Sequence, residues 1–428
     1  MSQIKKTVCR PTGDECFSLK LENGLSVYIS PNKKRVASAI FSVQFGSVNS
    51  NFVLSDGSQV SLPDGMAHFL EHKTFETEDG GDAFDLFAQT GADANAFTSF
   101  NKTSYIFSCV DEFYESLGIL LHFVMHPHFT PESVEKEKGI IIQEIAMYDD
   151  NPSWQSRSEV MRGLYGEESP LATDIAGTSE SVSMADSEML YSIHKTFYTP
   201  ENMSLCVVGN VSVEKVIQAC KGIDTVSDKE IPKTVLPSDT RQAKEQYREK
   251  YMPVSRSVFC FGVKDVPLSD GDEMYRRACA ISVISHALFS QSSEFYSDMY
   301  DRGIINNTFS SGYEYTEYYA MYMFCGETDA VQTLYGELCR YIEQVKENGI
   351  DKELFDNARR AVYANSLRSF ESSTSTCENM SEVYENVFLT PEIISNITYS
   401  YAMKVFRELF CPQAYTLSVI KPLEEKGE

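Results

Sequence analysis

The sequence predicts an α+β fold of two homologous α/β-sandwich units in tandem, each an antiparallel sheet with helices on one face. Three observations carry that prediction. A chain of 428 residues with 42% apolar side chains is too long for one ordinary core, so two or more domains are expected. Strand-like stretches open each half, and the remainder of the half is mainly helical. Finally, Phe197-Tyr-Thr-Pro200-Glu-Asn-Met-Ser-Leu is echoed by Phe410-Cys-Pro412-Gln-Ala-Tyr-Thr-Leu, and the offset, 412 minus 200, is 212 residues. Each copy follows a long helical stretch and leads into a short apolar strand, which is the pattern of a duplicated unit.

Taken in order, the run Phe17-Ser-Leu-Lys-Leu-Glu-Asn-Gly-Leu-Ser-Val-Tyr-Ile-Ser alternates apolar and polar around Asn23-Gly24. That is a hairpin signal, because Asn and Gly tolerate the positive φ of a tight turn. Residues 36–46 read as a third strand. A helix over 66–76 follows, entered through Pro63, whose fixed φ suits a first helical turn. Residues 82–90 read as helix, and 92–100 with 103–110 as a strand pair. Helices over 112–126, 132–148, 154–165 and 184–197 fill the rest of the half, which closes with a strand over 204–208. Residues 223–248, charged and punctuated by Pro232 and Pro237, read as a linker between units 1–222 and 249–428. In the second unit, strands within 251–263, a helix over 273–289, paired strands over 307–315 and 318–326, and four helices repeat the plan.

Composition removes several classes of function. A formal charge of −25 argues against a nucleic-acid partner, since phosphate binding needs clustered Lys and Arg. The acidity fits a solvated surface that keeps the chain soluble, or a negative cavity that steers basic peptides inward. The longest apolar runs, such as 117–125, fall short of the ~20 residues a membrane span needs. The first ten residues do not lead into the apolar core of a signal peptide. Eleven cysteines, an odd number with no Cys-x-x-Cys pair, fit buried thiols in a reducing compartment better than a disulfide framework. The expectation is a cytoplasmic protein without a membrane partner, in which Asn-x-Ser/Thr triplets such as Asn101-Lys-Thr are incidental.

The chemistry-bearing stretch is His68-Phe-Leu-Glu71-His72. On a helix, residues at i, i+3 and i+4 are neighbours, so two imidazoles and a carboxylate share one face. The spacing His-x-x-Glu-His is a known zinc arrangement. Zinc needs a third protein ligand and leaves a fourth position to water. The best candidate lies on the helix over 132–148, where Glu137 and Glu144 are seven residues apart and point to one side. Glu144 interrupts the apolar run 140–147, where an unpaired carboxylate is costly and a metal ion would compensate it. Two other histidine sites read as packing: His126-Pro-His128 at a helix end beside Phe123 and Phe129, and His286 alone on an apolar helix.

These three stretches, His68-Phe-Leu-Glu71-His72, the pair Glu137 and Glu144, and Phe197-Tyr-Thr-Pro-Glu-Asn202-Met-Ser-Leu-Cys-Val-Val-Gly209-Asn, resemble the insulinase/pitrilysin metallopeptidases, the M16 family. The resemblance implies that His68, His72 and Glu144 bind Zn²⁺, that Glu71 activates water as general base, and that Glu137 orients the site. It implies a peptide substrate bound as an added β-strand against the strand Ala94-Asn95-Ala96-Phe97, with Asn95 and Ala96 touching its backbone. It also implies half of a clam-shell chamber, which members of this length complete by pairing as a homodimer or as a heterodimer with a zinc-less homologue. In one respect the sequence departs from the pattern. Where the family places a substrate-binding Arg and Tyr, the stretch Phe295-Tyr-Ser-Asp-Met-Tyr300-Asp-Arg-Gly-Ile-Ile-Asn306 offers Tyr300 and Asn306, with Arg302 nearby. The expected function is therefore a zinc endopeptidase subunit awaiting a complementary chain. The alternatives are a non-catalytic assembly subunit and a peptide-binding module with a structural zinc.

Overall fold

The computed structural model describes residues 4–78, 80–223 and 230–423. It contains two compact units. The first comprises Met1–Ile145, Asp174–Leu236 and Ser366–Pro391; the second comprises Ala146–Thr173, Pro237–Asn365 and Glu392–Glu428. The units therefore do not follow the sequence halves 1–222 and 249–428. A helical stretch of each half belongs to the unit built mostly from the other, and the sheets show why.

The strands of the first unit are β1 (Lys5–Val8), β2 (Glu15–Lys20), β3 (Ser26–Pro31), β4 (Ala37–Val43), β5 (Asn51–Val53), β6 (Gln59–Ser61), β7 (Asp93–Thr98), β8 (Thr103–Cys109), β9 (Met203–Gly209) and β10 (Lys233–Thr234). Seven of them form one sheet in the order β1-β2-β3-β9-β4-β8-β7. The predicted hairpin is β2 and β3, where Gly24 takes a φ of 93° and Asn23 accepts a hydrogen bond from the Leu25 amide. Neighbours are antiparallel except β3 and β9, which run parallel, so the expected antiparallel sheet is in fact mixed.

The central strands β4 and β9 are buried along their whole length. Their two-residue period sorts side chains to two faces. Ala39, Phe41, Val43, Leu205 and Val207 join the main core with Leu117 and Leu120 of the helix Phe113–Met125. Ile40, Cys206 and Val208 pack on the other face with Cys377 and Met380 of the helix Ser373–Val383. Small groups let that helix lie close: the Ser38 and Thr374 hydroxyls meet at 3.0 Å, and the Cys377 thiol reaches the Cys206 carbonyl at 3.4 Å. Strands β10, β5 and β6 form a separate small sheet. Part of the expected linker is thus structured, because Lys233 and Thr234 pair with Val53 and Phe52. Residues 224–229 of that linker lie outside the described residues.

The second unit holds β11 (Tyr247–Met252), β12 (Val258–Asp265), β13 (Ser310–Tyr315), β14 (Ala320–Glu327) and β15 (Tyr415–Pro422) in the order β11-β15-β12-β14-β13. This repeats the path β3-β9-β4-β8-β7, including one parallel pair, β11 with β15, followed by antiparallel neighbours. The turns Pro200–Asn202 and Pro412–Ala414 lead into β9 and β15, so the echoed sequence marks equivalent strands. The two sheets therefore make a tandem pair of α/β units. Here the helix Pro152–Tyr165 covers β12 and β15, as Ser373–Val383 covers β4 and β9 in the first unit. The close approach needs glycine. A Cβ on Gly262 would stand 2.6 Å from Val160 Cγ1, and one on Gly163 would overlap the Thr416 hydroxyl.

One cysteine pair departs from the expectation of free thiols. Cys260 and Cys325 lie directly opposite each other in β12 and β14 and form a disulfide, whereas the other nine cysteines are thiols. No helix among the described residues is long and apolar enough to cross a membrane.

The helix-on-sheet contact yields a stability prediction. Gly163→Ala and Gly262→Ala should each destabilise the chain by about 1–3 kcal/mol in urea unfolding, the usual effect of overpacking. Gly336→Ala, in the open on the helix Val331–Asn348, should instead stabilise by up to about 1 kcal/mol through helix propensity. Equal stability of Gly262→Ala and the unaltered protein would refute the tight contact.

Candidate metal centre

The predicted motif forms the helix Met66–Thr74 of the first unit, with Pro63 just ahead of it rather than in its first turn. Met66, Ala67, Phe69 and Leu70 are buried and hold the helix to the main core, which leaves His68, Glu71 and His72 on the remaining face. Two glycines set its entry. Gly65 has a φ of 85° and Gly177 one of 78°. A side chain on Gly65 would overlap the Ala176 carbonyl, and one on Gly177 would meet the Asp64 carbonyl oxygen at 2.6 Å. At the other end, buried Lys73 pairs with Glu76 and the Thr74 hydroxyl donates to the Leu70 carbonyl.

The acids come from the helix Pro131–Asp149. Its buried residues are Val134, Ile141 and Ile145, and this stripe carries half-buried Glu137 and Glu144 beside it, while Ile140 and Met147 are exposed. The seven-residue spacing thus does what the sequence predicted and aims both carboxylates at one neighbour. His72 Nδ1 lies 3.0 Å from Glu137 Oε1, and His72 Nε2 lies 3.4 Å from Glu144 Oε2. His68 Nε2 lies 3.7 Å from Glu144 Oε1. The potential ligand atoms of His68, His72 and Glu144 all fall within 4.8 Å of one another.

Those distances fit a metal cage as well as a hydrogen-bonded cluster. Nitrogen–oxygen hydrogen bonds stop near 3.2 Å. A tetrahedral zinc with bonds of ~2.1 Å separates its ligands by ~3.4 Å. The contacts to Glu144 match the second figure, whereas the Glu137 contact matches the first. With Nδ1–H of His72 donating to Glu137, the charge of the carboxylate facing Nε2 is offset either by a proton on that nitrogen or by a cation between the two groups. The donor set fits zinc, which takes imidazole nitrogen and carboxylate oxygen at sites that leave a position open. Among the described residues no other group of histidine, cysteine or acid could hold a metal ion. A structural zinc filled by four protein ligands therefore has no fourth donor here.

The electrostatics follow from burial. Desolvation, with His72 adding repulsion, lowers the His68 pKa to about 4, so the ring is neutral with a lone pair to offer. His68 Nδ1 is buried with no hydrogen-bond partner. Burial acts in the same direction on His72, but hydrogen bonds and attraction from Glu137 and Glu144 outweigh it and lift the ring to about 9. The two acids thus favour positive charge on the His72 ring itself. Burial raises the Glu71 carboxyl, against the hydrogen bond it accepts on Oε2 from the Thr98 hydroxyl at 2.6 Å. Glu137 is desolvated too, yet its hydrogen bond to His72 holds it below the ordinary carboxylate range.

Asn95 and Ala96 lie on β7, the terminal strand of the seven-stranded sheet, with Asn95 exposed and Ala96 half-buried opposite Tyr105. Thr98, whose hydroxyl reaches Glu71, ends the same strand. Sequence reasoning missed it, although it stands three residues beyond Asn95 within the predicted strand over 92–100. The remaining histidines do not join the centre. His126 Nδ1 lies 2.9 Å from the His122 carbonyl oxygen, and its ring stacks on that of His122. In the second unit His286 lines a cavity of about 470 Å³ with mixed polar and apolar walls. There too, Tyr300 is exposed, and Arg302 is engaged by Asp298 and Glu337, each at 2.9 Å.

Comparison with known proteins identifies the family. Residues 28–179 match the family described as Insulinase (Peptidase family M16), and residues 185–362 match the Peptidase M16 inactive domain. An uncharacterized zinc protease of Bacillus subtilis, YmfH, is 40% identical over 297 residues, covering 68% of this chain and 69% of that one. The chain belongs to the M16 family. A second M16 relative, the uncharacterized zinc protease YmxG of the same organism, is 25% identical across 94% of this chain and 97% of its own. The crystal structure of an M16-like peptidase from Alicyclobacillus acidocaldarius superposes with a TM-score of 0.90 at 30% identity, covering 96% of this chain and 99% of that one. A Helicobacter pylori protease shares the M16 fold at a TM-score of 0.82 and 19% identity, covering 95% of this chain and 99% of that one.

The metal prediction follows from the donor set. Zinc added to chelator-stripped protein should raise its melting temperature, since a ligand bound only by the folded state stabilises it in proportion to RT ln(1 + [L]/Kd). Glu144→Ala and His68→Ala should abolish that rise and leave well under one zinc per chain by elemental analysis. An undiminished zinc content in Glu144→Ala would remove this carboxylate from the ligand set.

Proposed function

We propose that this M16 chain is a zinc-dependent endopeptidase subunit that cleaves short or unfolded peptides, as in the processing of a peptide precursor. The observation that supports this reading is the position of Glu71. It is a half-buried carboxylate on the same helix as His68 and His72, outside the candidate ligand set, and it is hydrogen-bonded to the end of an edge strand. Such a strand holds an extended peptide by backbone pairing, which tolerates many side-chain sequences.

In this reading His68, His72 and Glu144 hold the zinc, and Glu137 keeps the His72 ring oriented through Nδ1. Bound there, the metal supplies polarisation of a peptide carbonyl and a water acidic enough to react near neutral pH. Glu71 takes the proton of the attacking water and delivers it to the leaving amine, a transfer worth about 10²–10⁴-fold. Asn95 and Ala96 of β7 align the substrate backbone. The charge of −25 favours basic peptides among those that fit.

The chain acts in this reading with a second subunit. The stretch that would supply a substrate-binding Arg and Tyr holds Tyr300 and Asn306 instead, and Arg302 is already engaged by two acids. A second copy, or a zinc-less homologous chain, completes the site.

Two measurements test the proposal. Glu71→Gln should retain zinc and fold while cleavage of a mixed peptide library falls about 10²–10⁴-fold. Loss of zinc together with activity would point to a structural metal instead. The isolated chain should cleave slowly at low concentration. If the partner is a second copy, activity per chain should rise with concentration; if it is a co-purifying homologue, activity should rise on its addition. Rapid, concentration-independent turnover by the isolated monomer would overturn the two-subunit reading.

A further inference from the structure

We propose that Thr98 is a positioning residue that fixes the orientation of the Glu71 carboxylate and couples it to the strand that receives the peptide. The inference rests on the peptidase reading and deepens it. The hydrogen-bond geometry assigns the proton of Thr98 to Glu71. Thr103 gives its own hydroxyl proton to the Phe45 carbonyl at 2.8 Å. The Thr98 and Thr103 oxygens are 3.3 Å apart, a long contact in which Thr103 has no proton left to give. The carboxylate of Glu71 has lone pairs to accept with, so the single hydroxyl proton of Thr98 goes to Glu71 Oε2, at 2.6 Å. A short hydrogen bond to an ionised acceptor is among the stronger ones a protein makes.

Geometry links this bond to substrate alignment. Side chains two apart on a strand share a face, so Thr98, Ala96 and Ala94 face together. Ala94 and Ala96 pack against the main core, and β7 contacts the helix Met66–Thr74. Asn95 and Phe97 take the other face. The strand that would receive peptide backbone at 95 and 96 therefore ends, two residues on, in the hydroxyl that grips the base. Pinning Oε2 leaves Oε1 as the oxygen that accepts the proton. Without Thr98 the long Glu71 side chain has no fixed rotamer, and the base is present but poorly aimed.

The experiment compares Thr98→Val, which keeps shape and removes the hydroxyl, with Thr98→Ser, which keeps the hydroxyl. Both full-length variants are loaded with zinc and crystallised, and their peptide cleavage is measured where the unaltered chain cleaves. In Thr98→Val the Glu71 carboxylate should turn away from its position in the unaltered protein, with zinc content unchanged. kcat should fall ~10–100-fold at nearly constant KM, the range seen when a partner of a site residue is removed. Thr98→Ser should restore the carboxylate orientation and bring kcat within ~3-fold. A Thr98→Val crystal with Glu71 unmoved, or a Thr98→Ser variant as impaired as Thr98→Val, would overturn the inference. If the unaltered chain cleaves no peptide under any condition, the peptidase reading fails, while the crystals still decide whether Thr98 sets the orientation of Glu71.

Discussion

Desolvation is the constraint on which the first unit depends. His68, Glu71, His72, Glu137 and Glu144 all lose water at the contact between two helices, and an uncompensated charge there would cost several kcal/mol. The observed pairing answers most of that cost within the chain: Glu137 meets His72, Thr98 meets Glu71, and burial keeps His68 neutral. The carboxylate of Glu144 faces the imidazole nitrogens of His72 and His68 at 3.4 and 3.7 Å, separations close to those between ligands of one metal ion. The rest of the unit keeps these helices in register. Gly65 and Gly177 let the chain pass close at the entry to the motif helix, and Phe69 and Leu70 fasten that helix to the core.

The sheets show how one sequence plan serves two purposes. Both units use the same strand path and bury their central strands on two faces, one of them covered by a helix from the other half of the sequence. That cover demands small residues, Ser38, Ser42 and Cys206 in the first unit and Gly262 with Gly163 in the second. Neither requirement involves the metal motif. The second unit could therefore keep its fold without any His-x-x-Glu-His, because packing constrains the central strands while chemistry constrains one face of one helix.

Local chemistry made much of this legible in the sequence. The Asn23-Gly24 turn, the motif helix, the two acids seven apart, the strand pair β7 and β8, and the Pro200 and Pro412 turns all follow from spacing within a few residues. Features that depend on distant partners were not legible. The parallel pairing of β3 with β9 joins residues some 180 positions apart, and nothing in either strand specifies its neighbour's direction. The exchanged helices read as ordinary amphipathic stretches, so sequence order assigned them to the wrong neighbour. Lys233 and Thr234 looked like linker because two residues carry no period. The Cys260–Cys325 bond depends on cross-strand register, which cysteine spacing does not reveal. Thr98 was hidden for a similar reason, since a threonine ending a strand is common and only the helix opposite gives it a partner.

The two units hold a comparable acid in contrasting ways. In the second unit Asp265, on β12, is 3% exposed and fully engaged. Its Oδ1 accepts from Arg241 at 2.8 Å and Arg277 at 3.2 Å, and its Oδ2 accepts from Arg277 at 2.9 Å and the Tyr313 hydroxyl at 2.8 Å. Four donors on two oxygens leave no lone pair free to take a proton. They also tie the helix Gly271–Phe289, through Arg277, to the edge strand β13, through Tyr313. In the first unit Glu71 makes the corresponding tie between a helix and the edge strand β7, but with a single neutral donor. The link is weaker as a brace, and it leaves the carboxylate's other oxygen unsaturated. Saturating an acid turns it into scaffold, whereas a single donor leaves the Glu71 carboxylate with lone pairs still able to accept a proton.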